Sequence, residues 1–414
     1  MTTTAVRRTA GLLPPAGHAR GLALAQLANA IGDGAFLVTS ALFFTRVVGL
    51  SAGQVGLGLT IAWALGFLTG VPLGHLADRR GPRGTAILLA VLTATAVGAF
   101  LFVRSFPLFV LAAIVYATAQ TGLAAARQAL LAGLVDAAER TTVRAYLQST
   151  VNAGLAIGAG LGGLALTVDT TTAYLVVFAI DGLSFLVAAM ALHRLPAVPA
   201  ATTRVAGPRL AVLRDKPYAV LTLLNSIMLL YMPLLSLVMP LWIVTRTDAP
   251  GWTMAALLVL NTMAVTLFQV KFARRVTSLQ SAAKSVRTAG VAMLLACAVF
   301  AVSAAGLSTE SAVLVLGLGA ALLVVGEMLL ASGSWEISFG LAPADKQGQY
   351  QGFFGSGPAI ARMLGPVLLT TVVLGWGPIG WLVVGALFLG TSWLTGPAVR
   401  WAARSSLPTK EYAH

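Results

Sequence analysis

Apolar residues run along this chain in long unbroken stretches, each closed by charge, proline or glycine. About 20 consecutive apolar residues is the length of α-helix that crosses the hydrocarbon of a bilayer. The stretches predict helices over residues 21–45, 54–75, 84–104, 107–130, 143–166 and 172–192. After a break they resume over 217–245, 252–273, 284–305, 311–333, 349–374 and 378–402. A transmembrane β-barrel would need alternation with period two, which these stretches lack. The pattern therefore predicts an all-α membrane protein with twelve transmembrane helices in two six-helix halves. The segments are a cytoplasmic tail over 1–20, a bundle over 21–192, a linker over 193–216, a second bundle over 217–402 and a tail over 403–414. The linker carries three prolines and five Lys or Arg, as suits a cytoplasmic connection. The apolar run in the opening MTTTAVRRTAGLLPPAGHARG is too short and broken for a signal peptide, so the segment is expected to stay on the chain.

Composition narrows the class further. Of 414 residues, 58% are hydrophobic and 10% charged, against about 25% charged in soluble proteins, and the mean hydropathy is +0.88. Too few polar side chains are present to cover a soluble core of that size. The formal charge of +14 would suggest nucleic acid in a soluble protein. Its distribution argues otherwise. With both termini cytoplasmic, 23 of the 27 Lys and Arg fall inside; Arg46, Arg104 and Arg246 fall outside and Arg362 lies within a helix. Positive charge is retained on the cytoplasmic side during insertion, which predicts a multi-pass protein of the cell membrane with basic loops facing anionic headgroups.

Little in the chain suggests catalysis. The lone Cys297 cannot form an internal disulfide, and His18, His75, His193 and His414 lie apart with no metal-ligand spacing. No Gly-x-x-x-x-Gly-Lys loop is present for a nucleotide. The expectation is a protein that is not an enzyme, with no cofactor and no metal.

Two motifs are more specific. Residues 74–83 read GHLADRRGPR between the second and third helices. This resembles the loop signature of the major facilitator superfamily, G-x-L-A-D-R-x-G-x-[RK], through Gly74, Asp78, Arg79, Gly81 and Arg83. Residues 154–163 read GLAIGAGLGG in the fifth helix. Gly154, Gly158, Gly162 and Gly163 look like the antiporter motif GxxxGPxxGG of the same superfamily, with Ala159 in place of the proline. Glycines at this spacing also let two helices pack backbone to backbone. The RxxxG motif found in the fourth helix of many drug:proton antiporters is absent from residues 112–121.

The resemblance implies two pseudo-symmetric halves that alternate access to a central cavity lined by helices one, four, seven and ten. It also implies that Asp78 meets the N-terminal end of helix eleven and that the loop arginines meet acids after helix four, where Asp136 and Glu139 are available. Charge inside a bilayer is costly and marks function or pairing. Asp33 shares a helix face with Gln26 and Asn29, and is the first candidate for proton coupling. Glu327, about four turns in from the outer end of helix ten, is the second, with Arg362 expected to form an ion pair with it. Asp181 is expected to bond between helices.

Tyr116, Gln120, Asn225, Met228, Tyr231 and Met232 complete the expected substrate cavity. Gln148, Asn152, Asn261 and Gln269 are expected to hydrogen-bond between helices, and Arg127 to reach the headgroups. Together these readings predict a monomeric exporter of amphipathic small molecules, a drug or secondary metabolite, in exchange for protons. A nutrient symporter or uniporter, and a non-transporting sensor or scaffold, are the alternatives.

Overall fold

The computed structural model describes residues 14, 17–168, 170–199 and 210–405. Most of the expected tail over 1–20, the middle of the linker and the end of the tail over 403–414 lie outside them. Among the described residues, 11 helices are long and apolar enough to cross a membrane, or 12 if one bent pair counts as a single span. They are α1 (His18–Val47), α2 (Ala52–Arg80), α3 (Pro82–Phe100), α4 (Phe106–Leu134), α5 (Arg140–Val168) and α6 (Thr171–His193). After the linker come α7 (Lys216–Arg246), α8 (Trp252–Ala273), α9 (Leu279–Val302) and α10 (Thr309–Leu341). The bent span α11 comprises Gln347–Phe354, Gly357–Leu369 and Thr370–Leu374, and α12 is Pro378–Ser405. Polar side chains set several starts, such as the reciprocal Ser51 and Gln54 bonds opening α2 and the Asp215 carboxylate that accepts from the Tyr218 amide at 3.0 Å.

Two helices expected to be continuous are broken. In α7 the helix stops at Met228, turns through Leu229 and Leu230, and resumes at Tyr231. Pro233 is the cause: it offers no amide hydrogen, and its ring collides with the carbonyl four residues back, that of Leu229. In α11 the interruption falls at Gly355 and Ser356, and Pro358 acts on Phe354 in the same way.

The chain divides into two compact units. The first comprises residues up to Leu210 together with Pro343–Gly352, and the second comprises Ala211–Ala342 and Phe353 onward. The start of α11 thus packs with the first unit.

An aromatic cluster fills one end of the first unit. Phe43 lies 4.4 Å from Phe178, and Phe44 lies 4.5 Å from Phe109, between ring centres. These four rings are almost fully buried. In α1 and α5 the helices touch through backbone. A Cβ on Gly158 would lie 2.9 Å from the Ala35 nitrogen and closer still to the Ile31 carbonyl oxygen. One on Gly154 would lie 2.7 Å from the Ala30 Cβ, and one on Gly162 would lie 2.9 Å from the Ala35 carbonyl oxygen. Gly163 has open space around it, so the fourth glycine of the expected motif takes no part in this contact.

In the second unit Trp242, Phe300 and Trp381 are buried against one another. Phe300 and Trp381 lie 5.0 Å apart, and the Trp242 indole donates to Ser303 at 2.9 Å.

Candidate functional site

Helix α1 is held between α5 and α6, which fixes the direction of its polar face. The Asn29 amide donates to one Asp33 carboxylate oxygen at 3.1 Å, one turn away. From α4, Gln120 donates to the other at 3.3 Å and also to the Tyr116 hydroxyl at 3.1 Å. Arg127 donates to the Asn29 side-chain oxygen Oδ1 at 2.7 Å and attracts Asp33 electrostatically. The result is a continuous chain, Tyr116, Gln120, Asp33, Asn29 and Arg127, spanning two helices of one unit. Asn29 is buried, whereas Asp33 and Gln120 remain half-buried. Gln26, the third polar residue of the α1 face, borders a narrow cleft with Arg127 and Gln128.

Arg127 therefore does not reach for the headgroups as expected; it turns inward. Its signal was present in the sequence, because residues 116, 120 and 127 fall on one face of a helix. Aromatic rings flank this network: Phe36 lies 5.6 Å and Trp63 6.5 Å from Tyr116.

Asp181 departs from its expected role. It is 0% exposed, and neither carboxylate oxygen has a hydrogen-bond partner among the described residues. The reason is the neighbour it packs against: a Cβ on Gly32 of α1 would lie 2.6 Å from Asp181 Oδ1 and 2.9 Å from its Cα. Ser184, the nearest hydroxyl on its own helix, donates instead to the Asp181 backbone carbonyl at 2.7 Å.

In the second unit Glu327 of α10 accepts a hydrogen bond from the Asn261 amide of α8 at 2.7 Å. The Tyr231 hydroxyl of α7 is its second partner. The expected ion pair with Arg362 is absent. Beyond the break in α11, Ala361 and Gly365 define the buried face at a spacing of four, and Arg362 is exposed beside it.

Other expected cavity residues are used in packing. Ser334 of α10 donates to the Asn225 side-chain oxygen Oδ1 at 2.7 Å, and Met228 is 0% exposed. Met232 is half-buried. Gln269 bonds between helices as expected, to the Met328 carbonyl and the Ser332 hydroxyl of α10. Gln148 and Asn152 bond to one another at 3.1 Å along α5, where an interhelical bond was expected.

The loop motif takes the expected position at the start of α11. Asp78 accepts from the Gly348 amide at 2.6 Å and from the Gln349 amide at 3.0 Å. These are first-turn amides, which have no carbonyl four residues back within their own helix, and a carboxylate there also meets the positive end of the helix dipole. Gly74 is required for the approach: a Cβ would collide with the Gly348 carbonyl oxygen. The arginines do not pair with Asp136 or Glu139 as expected. Arg83 donates to the Leu195 carbonyl at 2.7 Å, whereas Arg79, Arg80, Asp136 and Glu139 are exposed.

Long apolar spans, with Asp33 half-buried on the polar face of α1, mark an integral membrane protein. Residues 22–366 match the family model of the Major Facilitator Superfamily, and the chain belongs to that superfamily. It is a multi-pass secondary transporter of a small-molecule substrate, and not an enzyme.

Solved structures resemble it over most of its length. A bacterial homologue of the iron transporter ferroportin in an outward-facing state is 17% identical, with 93% of this chain and 99% of that chain covered and a TM-score of 0.74. The human organic anion transporter MFSD10 (TETRAN) is 17% identical over 91% of this chain and 98% of that one, with a TM-score of 0.68. The E. coli fucose:proton symporter FucP is 13% identical over 92% and 97%, with a TM-score of 0.66. At such identities the likeness is one of fold. No curated protein sequence matches the chain significantly.

Proposed function

We propose that this protein exports amphipathic small molecules, a drug or a secondary metabolite, in exchange for protons, and that Asp33 is the coupling carboxylate. The observation that carries the reading is the setting of Asp33. It is half-buried, leaving part of its surface accessible, yet it is bonded by Asn29 and Gln120 and attracted by Arg127. A proton on Asp33 cancels its attraction to Arg127 and weakens its hold on Gln120 of α4. Proton binding thereby alters the contact between two helices, as alternating access requires. Asp181 has no such access. Beside Asp33, the rings of Tyr116, Phe36 and Trp63 and the amide of Gln120 offer an apolar wall with few polar groups, suited to an amphipathic ligand.

In this account the protein is a monomer of the cell membrane with both termini cytoplasmic, and Asp78 at the start of α11 forms a contact that opens and closes with the cycle. The test is uptake of lipophilic cations and neutral compounds into inverted vesicles. Antiport predicts uptake driven by an acidic lumen and abolished by a protonophore. Symport would instead drive substrate out of the lumen under the same gradient, and that result would overturn the proposal.

A further inference from the structure

Helices α9 and α12 of the second unit pack along their length, and their close contacts set the register. A Cβ on Gly290 of α9 would lie 3.0 Å from the Phe388 carbonyl oxygen of α12, and one on Gly385 would lie 2.8 Å from Leu294 and 3.0 Å from Cys297. Positions rise along one helix as they fall along the other, so the pair is antiparallel. The start of α9 therefore lies beside the end of α12. Those two ends carry Lys284, Arg287, Arg400 and Arg404, and neither helix contains an acidic residue.

The four cations share one exposed face. Arg287 lies over the Trp393 ring, 4.3 Å from its centre, and both residues are exposed. Lys284 is exposed one turn from Arg287, while Arg400 and Arg404 are exposed on the Trp393 side of α12 by helical spacing. Arg400 folds back along its own helix, since a Cβ on Gly396 would lie 3.7 Å from its Nη1. By the register, this brings its head to within about one turn of Lys284 in depth. A ring contact consumes no N–H donor, so Arg287 keeps its donors for an anion. Like charges grouped without an acid repel one another, and an anion between them relieves the repulsion. Deeper along the same face, exposed Val291 and Leu295 of α9 fall level with Gly390 and Ala386 of α12. Gly390 has open space around it, which leaves an apolar furrow below the cations. A free anion would use only the charges; a lipid with an anionic headgroup uses the charges and the furrow together.

We propose that the groove between α9 and α12 binds an anionic phospholipid, its phosphate held by Arg287 and Arg400 and an acyl chain lying along Val291 and Leu295. Basic loops attract such lipids diffusely; this groove gives one of them a fixed place. The site lies wholly within the second unit and does not depend on what the protein exports.

The test is equilibrium binding of fluorescent phosphatidylglycerol to the purified full-length chain in neutral detergent, with phosphatidylcholine of the same acyl chains as the comparison. The wild type is expected to bind phosphatidylglycerol saturably and in preference to phosphatidylcholine, and to keep it when inorganic phosphate is added. Replacing Arg287 and Arg400 together by Gln should weaken binding roughly fivefold for each charge removed, about 25-fold for both. Replacing Arg194 and Arg214, two exposed arginines elsewhere, by Gln removes the same charge and should leave binding unchanged. Equal binding of phosphatidylcholine, or wild-type affinity in a monodisperse double variant, would overturn the site. An equal loss in the Arg194 and Arg214 variant would overturn it too, because charge without place would then account for the binding. Displacement by inorganic phosphate would do the same by making the occupant a free anion. If the Arg287 and Arg400 variant does not fold, Lys284→Gln with Arg404→Gln takes its place, and wild-type affinity there overturns the site.

Discussion

Replacing Asp78 by Asn changes one oxygen and removes one charge, and the structure says what that costs. The Asp78 carboxylate accepts from two amides at the start of α11, at 2.6 and 3.0 Å. An asparagine can accept one of these bonds, while its amide group faces the second donor and leaves it unpaired. Hydrogen bonds to charged groups contribute about 1.5–3 kcal/mol each, and the charge at the helix start contributes about 0.3–1 kcal/mol more. Losing one bond and the charge, and keeping the other bond in weaker neutral form, comes to about 2–4 kcal/mol. That is roughly a 30- to 1,000-fold shift toward the open contact. Hydrogen exchange of the peptide spanning residues 344–354 reads the opening directly, since protection reports its free energy. The Gly348 and Gln349 amides are expected to exchange faster by that factor in Asp78→Asn, with peptides of the α1 and α5 core unchanged. Exchange within about threefold of wild type would refute the reasoning, because the two bonds would then contribute nothing to holding α11 in place.

Gly158→Val should loosen the contact between α1 and α5, because its side chain would meet the Ile31 carbonyl and the Ala35 nitrogen. Thermal unfolding in detergent should show a loss of about 1–3 kcal/mol, whereas Gly163→Ala, with open space around it, should be silent. Arg127→Gln should lower proton-driven transport by roughly tenfold or more by removing the charge beside Asp33 and a 2.7 Å bond to Asn29. An arginine that only met headgroups would leave the rate unchanged, and Arg127→Lys should retain part of it.

The spans were legible because crossing a bilayer demands a length of apolar helix that few sequences meet by chance. Their ends carry readable chemistry as well, from the Ser51 cap of α2 to the glycine of the loop motif. The breaks in α7 and α11 were written too, in Pro233 and Pro358, but a proline inside an apolar run signals a boundary only when its neighbours refuse to repair it. Helix rotation was harder to read. The polar stripe of α1 revealed its facing because Gln26, Asn29 and Asp33 stand out from apolar residues. Glu327 and Arg362 have no polar neighbour one turn away on their helices, so nothing in their spacing revealed that one faces Asn261 and Tyr231 while the other lies off the buried face. Asp181 could be placed on α6, but its lack of partners depends on Gly32 of another helix pressing against it.

Proton coupling through Asp33 is tested most directly by Asp33→Asn in reconstituted vesicles, measuring both gradient-driven uptake and substrate exchange without a gradient. The account predicts that gradient-driven uptake is lost while exchange continues, since the amide keeps the shape of the side chain but carries no proton. Undiminished gradient-driven uptake in Asp33→Asn would contradict it.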